Sequence, residues 1–142
     1  MAVVVFDADV LIGYLGRDDA NHTEAVERMR RALVAGTRRL VSAVNYTEVL
    51  IGPLRKKGVE GAETVDAMLT RFGIETIRVD MALARRAAAI RARTRLKLPD
   101  AYALATAIHA EKAGHSDVRL ETFDAKVIKA YKTLHPLTPD LE

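Results

Sequence analysis

The sequence predicts an α/β fold in which a mainly parallel sheet is sandwiched by helices on both faces. Short segments that are apolar, or that alternate polar and apolar residues, are followed by longer segments with apolar residues at helical spacing. This is the order expected of strand–helix–strand units. The first segment, residues 2–6, is an unbroken, valine-rich apolar run, as in a strand buried on both faces. The 142 residues are enough for one hydrophobic core, so we expect a single domain over residues 1–142.

Two helices and a second strand follow this first strand. Residues 10–15 predict a short apolar helix that ends at Gly16. The next helix carries apolar residues at helical spacing and stops near Gly36. A short strand over residues 39–42 then leads into a helix that Ser42 caps.

Glycine and proline divide the next part of the chain into two predicted helices. The helix that begins at position 43 runs towards position 57, and the Gly52-Pro53 pair is expected to kink or break it. Gly58 and Gly61 are expected to separate it from a helix over residues 63–72.

The rest of the chain alternates strands and helices in the same way. Residues 74–79 alternate polar and apolar side chains, which predicts a more exposed strand. The remaining predicted elements are a helix over residues 81–94 capped by Asp80, a helix over 99–112, a strand over 118–122, a helix over 125–130 and, from Leu134 to Pro139, at most an edge strand.

The composition is that of a mildly basic globular protein. Hydrophobic residues make up 49% and charged residues 29%, and the net charge of +3 is compatible with a nucleic-acid partner. The sequence has no apolar run long enough to span a membrane and no signal-peptide pattern at its start. It has no cysteine, which excludes disulfides and thiolate ligands and fits a cytoplasmic protein.

Four acidic residues stand where an α/β fold collects functional side chains. Asp7 and Asp124 come just after predicted strands. Asp100 lies in the first turn of a helix, and Glu48 lies in a helix that is largely apolar. Each has an ordinary alternative as a turn, cap or solvent-facing residue. Converging carboxylates repel one another unless a cation bridges them, and oxygen ligands suit Mg²⁺ or Mn²⁺.

Four short blocks, spread over almost the whole chain, resemble the motifs of a known family. They read VFDADVLI from position 5, SAVNYTEVL from position 42, LPDAYALATA from position 98 and LETFD from position 120. In this order and spacing they resemble the PIN-domain ribonucleases, and most closely the VapC-type toxins of type II toxin–antitoxin pairs. The family's four acids carry over to Asp7, Glu48, Asp100 and Asp124, and its supporting Ser or Thr carries over to Thr122.

This resemblance implies a metal-dependent endonuclease that cleaves RNA with an activated water. Asp7 and Asp100 would be the main ligands of one or two Mg²⁺ or Mn²⁺ ions. Glu48 and Asp124 would complete the site and help to orient the attacking water, and the ion would offset charge on the phosphoryl group.

The resemblance also implies RNA and protein partners. A cognate antitoxin would lay a helix into a groove, for which residues 10–15 and the helix over 63–72 are candidates. The arginine-rich helix over 81–94 is a candidate homodimer interface, and no membrane association is expected. Contacts to RNA phosphates would come from Arg17, Arg55, Lys56, Lys57, Arg95 and Lys97.

One residue, Asp9, departs from the pattern of the PIN-domain family. Asp9 stands where the family usually has Ser, Thr or Asn; it would either tighten metal binding or point away as a cap, and we expect the second.

The alternatives to a toxin are a PIN nuclease of RNA processing, a catalytically silent PIN binding module and a phosphorylated receiver domain. The receiver would need a Lys after a late strand, which residues 120–122 do not supply.

Overall fold

The computed structural model describes residues 1–134 and confirms the predicted α/β fold. Over this range all strand pairings are parallel, and the strand order in the sheet is β3-β2-β1-β4. The strands are β1 (Ala2–Phe6), β2 (Thr37–Ser42), β3 (Ile74–Ile77) and β4 (Asp117–Glu121). The helices are α1 (Ala8–Leu15), α2 (His22–Ala32), α3 (Ala43–Lys57), α4 (Val59–Phe72), α5 (Met81–Arg93), α6 (Leu98–Lys112) and α7 (Ala125–Leu134).

Strand β1 lies at the centre of the molecule, and both of its faces are buried. Val4 and Phe6 belong to a core with side chains from α1 to α4. Val3 and Val5, which point to the opposite face, pack against Ala107 of α6 and its neighbours. This explains why the first strand of the sequence is apolar without interruption.

The glycines and the proline of the second quarter act differently from the prediction. Of the kink or break expected at Gly52-Pro53, the break does not occur, since α3 continues through Pro53 to its end at position 57. Gly61 does not separate the helices but lies buried within α4, where an added Cβ would stand 2.0 Å from the Pro53 carbonyl oxygen. Gly58 alone makes the turn, with a φ of 59° that favours glycine. The close approach of α4 to α3 at Pro53 therefore requires a glycine at position 61.

Several helix ends also differ from the prediction. Helix α1 begins two residues earlier, at Ala8, because Asp7 caps it. Helix α7 extends to Leu134, whose side chain is buried in the core beside α6. The rest of the predicted edge strand of the tail lies outside the described residues. No helix within residues 1–134 is long and apolar enough to span a membrane.

Candidate metal centre

Two of the predicted acids lie at the carboxyl ends of neighbouring strands, where parallel α/β folds place their sites. Asp7 follows β1 directly, and its Oδ1 accepts a hydrogen bond of 2.8 Å from the N–H of Ala8. Asp124 follows β4, and its Oδ1 accepts one of 2.8 Å from the N–H of Lys126 at the start of α7. Because β1 and β4 pair in parallel, both acids lie at the same edge of the sheet.

The buried hydroxyl of Thr122 joins these two strand ends. Its Oγ1 donates to Oδ2 of Asp7 at 2.8 Å and lies 3.3 Å from Oδ2 of Asp9. The same oxygen accepts a hydrogen bond of 3.1 Å from the N–H of Asp124. One hydroxyl thus contacts three acidic residues, which fits the supporting role that the resemblance implied for Thr122.

Asp9 points towards the site, so the expectation that it turns away as a cap was wrong. Its Oδ2 accepts a hydrogen bond of 2.9 Å from the N–H of Phe123, because the first turn of α1 lies beside the end of β4. Its Oδ1 is buried and has no hydrogen-bond partner among residues 1–134. Burial raises the pKa of Asp9, against the hydrogen bonds from Phe123 and Thr122, which lower it.

Glu48 is held by a buried amide that the sequence analysis did not single out. Nδ2 of Asn45 donates to Oε1 of Glu48 and to the carbonyl of Pro99, each at 3.0 Å. Ser42 caps α3 as predicted, accepting a 3.0 Å hydrogen bond from the N–H of Asn45. Asn45 therefore ties the start of α3 to the start of α6. The available signal was its position three residues before the acid, on the same side of the helix.

Asp100 lies in the first turn of α6, as predicted, and interacts with acids from elsewhere in the chain. Burial is the largest effect that raises the pKa of Asp100. The negative charges of Asp124, Glu48 and Asp9 raise it further, and Lys97 partly offsets them. Carboxylates from α1, α3, α6 and the connection after β4 therefore share one electrostatic environment.

Asp7 is the most strongly perturbed of these acids. Its side chain is almost fully buried, and this burial, together with the charges of Asp9 and Asp100, raises the pKa of Asp7 to about 7. The hydrogen bonds from Thr122 and Ala8 act in the opposite direction. A carboxyl group in this environment gains from a nearby cation, which would favour its ionised form.

The donor set fits a hard divalent cation, although residues 1–134 contain no preformed cluster. No group of three or more His, Asp or Glu side chains in that range is arranged to hold a metal ion as it stands. The fit rests instead on the chemistry of the donors. All are carboxylates, the pKa of Asp7 is raised to about 7, and the buried Oδ1 of Asp9 has no hydrogen-bond donor in the described part of the chain.

A cavity of about 590 Å³ opens beside Glu48, between α1, α3 and α4. Its apolar lining includes Ile12 and Val65 from the two segments that were predicted to form a groove. Three of the six predicted phosphate-binding residues, Arg17, Lys56 and Lys57, also line it. The other three, Arg55, Arg95 and Lys97, are exposed on the surface.

The chain is similar in fold to solved toxin structures. Mycobacterium tuberculosis VapC20, described as a sarcin-ricin-loop-cleaving toxin, has a TM-score of 0.68 at 18% identity, over 91% of this chain and 95% of that one. A Klebsiella pneumoniae toxin–antitoxin complex gives 0.65 at 26% identity, over 90% of each chain. Rickettsia felis VapBC2 bound to a promoter DNA fragment gives 0.59 at 14% identity, over 86% and 99%.

No curated protein matches the chain significantly in sequence. The family model described as "PIN domain" matches residues 4–133, which is nearly the whole chain and includes all five acids of the site. The chain therefore belongs to the PIN domain family.

Proposed function

We propose that this protein is a Mg²⁺- or Mn²⁺-dependent endoribonuclease and the toxin of a toxin–antitoxin pair. The observation that carries the proposal is the contact of one hydroxyl, that of Thr122, with Asp7, Asp9 and Asp124 at one edge of the sheet. The charges of Asp124 and Glu48 also raise the pKa of Asp100. Membership of the PIN domain family supports the same reaction. The proposal takes residues 1–142 as one domain that acts in the cytoplasm.

Asp7 and Asp100 would hold the divalent ion, and Glu48 and Asp124 would complete the site directly or through water. The bound ion would supply Lewis-acid chemistry, lowering the pKa of water and offsetting charge on the phosphoryl group. Other groups of the chain hold Asp7 in place for this role. Thr122 hydrogen-bonds Asp7, and burial excludes bulk water from that carboxylate.

Glu48 is suited to orient the attacking water because Asn45 fixes its side chain. The hydrogen bond from Asn45 occupies Oε1 of Glu48, which leaves Oε2 to accept from a water. Asn45 also bonds the carbonyl of Pro99, next to Asp100, so the two acids are held in a fixed relation. RNA would approach along the cationic rim formed by Arg17, Lys56 and Lys57.

The cavity beside Glu48 suits a helix of the antitoxin. Its size and its apolar residues from α1 and α4 fit an amphipathic segment, and a partner seated there would lie next to the acids. The 26% identical structure is of a toxin–antitoxin complex, which supports this part of the proposal. The proposal includes a homodimer formed through α5, which begins with the exposed Met81.

The proposal is tested by RNA cleavage with Mg²⁺ or Mn²⁺ by the wild type and the Asp7→Asn and Asp100→Asn variants. Both variants are expected to lose nearly all activity, and chelation is expected to abolish wild-type cleavage. Asp117→Asn, an exposed acid at the opposite end of β4, is the matched control. Undiminished cleavage by both site variants would overturn the nuclease assignment.

The toxin assignment needs a separate experiment. The product of a neighbouring short reading frame should bind the protein and suppress its RNA cleavage. Ile12→Arg, which places a charge on the apolar wall of the cavity, should weaken this binding. If no such product binds the protein or suppresses its cleavage, the alternative of a nuclease in RNA processing would be favoured.

A further inference from the structure

Arg28 of α2 contacts residues 121–123, at the end of β4 and in the connection that follows it. Its Nη1 lies 3.2 Å from Oε1 of Glu121 and 3.3 Å from the carbonyl oxygen of Thr122. Its guanidinium carbon stands 5.0 Å from the ring centre of Phe123. One side chain therefore contacts three consecutive residues, through an ion pair, a backbone hydrogen bond and a cation–π interaction.

The same three residues also form hydrogen bonds with the acids. The carbonyl of Glu121 accepts a hydrogen bond of 2.9 Å from the N–H of Asp7. The hydroxyl of Thr122 donates to Asp7, and the N–H of Phe123 donates to Asp9. Residues 121–123 thus link Arg28 of α2 to Asp7 and Asp9, the two acids that follow β1.

The geometry of Arg28 is that of a fixed group and not of a solvated surface cation. Its side chain is 21% exposed, and that of Glu121 is 14% exposed, so water screens their ion pair only in part. Nε of Arg28 donates to Glu24 one turn earlier, at 2.9 Å, which holds the guanidinium in place. The planar, forked guanidinium is needed because it serves Glu24, Glu121 and a carbonyl at once.

We propose that Arg28 is a positioning residue of the metal centre, which acts on Asp7 and Asp9 through residues 121–123. The part of this inference that concerns metal rests on the proposed function. The part that concerns the connection does not, because the hydrogen bond from Phe123 to Asp9 is formed between groups of the protein itself. Outer partners of this kind orient the acids that bind the ion, and their loss commonly weakens metal binding 10- to 100-fold.

The first test uses the metal-free protein and needs no substrate. Arg28→Gln should accelerate amide hydrogen exchange at Phe123 about tenfold relative to Val5 of β1, which reports global opening. Arg28→Lys keeps the charge but not the fork and should give an intermediate rate. Arg31→Gln is the matched control, because Arg31 lies on the same helix and pairs only with Glu24 and Glu27 among the ion pairs of residues 1–134. Unchanged exchange at Phe123 in Arg28→Gln would overturn the proposal.

The second test measures Mn²⁺ affinity by calorimetry and RNA cleavage at saturating metal. Arg28→Gln should bind Mn²⁺ at least about tenfold more weakly and lose kcat, with KM for RNA unchanged. A raised KM with unchanged kcat and metal affinity would make Arg28 an RNA-phosphate contact and overturn the positioning role. Wild-type protein that neither binds Mn²⁺ nor cleaves RNA would instead contradict the proposed function, and the exchange result at Phe123 would still stand by itself.

Discussion

The hydroxyl of Thr122 donates a hydrogen bond of 2.8 Å to Oδ2 of Asp7, and this contact joins the ends of the neighbouring strands β4 and β1. Both groups are buried, with 1% and 3% of their surface exposed, so the bond is shielded from water. It stabilises the ionised form of a carboxyl group that its surroundings otherwise favour in the protonated form. The first prediction concerns this bond.

Thr122→Val should raise the pKa of Asp7 further above 7, because the valine keeps the shape of threonine but cannot donate. A hydrogen bond to a charged group is worth about 1.5–3 kcal/mol, so a rise of at least about one pH unit is expected. Carbon-detected NMR titration of the Asp7 carboxyl measures it. Thr122→Ser keeps the hydroxyl and should match the wild type; equal pKa values in all three proteins would contradict the role of the bond.

Asp7 should make the metal-free protein less stable as the pH rises. An unfolded Asp ionises near pH 4, whereas burial raises the pKa of Asp7 in the fold to about 7. Between these values the folded state holds a proton that the unfolded chain has released. Its stability therefore falls across this window, by up to roughly 4 kcal/mol, and levels off above pH 7.

Thermal unfolding of Asp7→Asn at pH 5 and pH 8 tests this relation. The variant should lose much less Tm over that interval than the wild type and should be the more stable protein at pH 8 without metal. Mg²⁺ or Mn²⁺ should raise the Tm of the wild type at pH 8 and leave that of the variant nearly unchanged. The same pH dependence in both proteins would be inconsistent with a buried, protonated Asp7.

Asn45→Leu should lower the free energy of unfolding by about 2–4 kcal/mol. The leucine removes the amide that serves Glu48 and the Pro99 carbonyl, and each unpaired group costs about 1–3 kcal/mol. The loss also releases Glu48, so kcat should fall as well. Thr47→Ala, an exposed change on the same helix, is the control for urea unfolding. Wild-type stability in Asn45→Leu would contradict the tie between α3 and α6.

Gly61→Ala should destabilise the protein by at least about 2 kcal/mol. The new methyl group would stand 2.0 Å from the carbonyl oxygen of Pro53, so α4 must move away from α3. Gly52→Ala is the matched control, since an added Cβ there meets nothing within 4 Å among residues 1–134 and alanine favours a helix. Urea unfolding should therefore give changes of opposite sign, and a neutral Gly61→Ala would refute the close contact.

The parts of the fold that could be predicted from sequence are those set by local pattern. The valine run of β1 indicated a central buried strand, and the parallel topology then predicted where Asp7 and Asp124 would lie. The packing of one helix on another could not be predicted in this way. The close approach of Gly61 to Pro53 depends on how α4 packs on α3. The spacing of apolar residues, glycines and prolines along the sequence does not determine this packing.

The candidate site shows the same division. Asp7, Glu48, Asp100 and Asp124 could be named from their positions, but their supporting partners could not. Asp9 was expected to cap a helix because that is the common role of an aspartate near a helix start. Its actual partner, the N–H of Phe123, lies 114 residues away in the chain. Arg28 likewise has the sequence pattern of a surface residue, and only the fold brings it to the connection after β4.

A crystal structure of the protein soaked with Mn²⁺, read by anomalous scattering, tests the central claim most directly. We predict an anomalous peak within about 2.0–2.6 Å of carboxylate oxygens of both Asp7 and Asp100, with Glu48 and Asp124 beside it. The Asp7→Asn crystal should lack that peak under the same conditions. The account would be contradicted by wild-type crystals in which Mn²⁺ binds elsewhere or in which Asp7 and Asp100 do not share an ion.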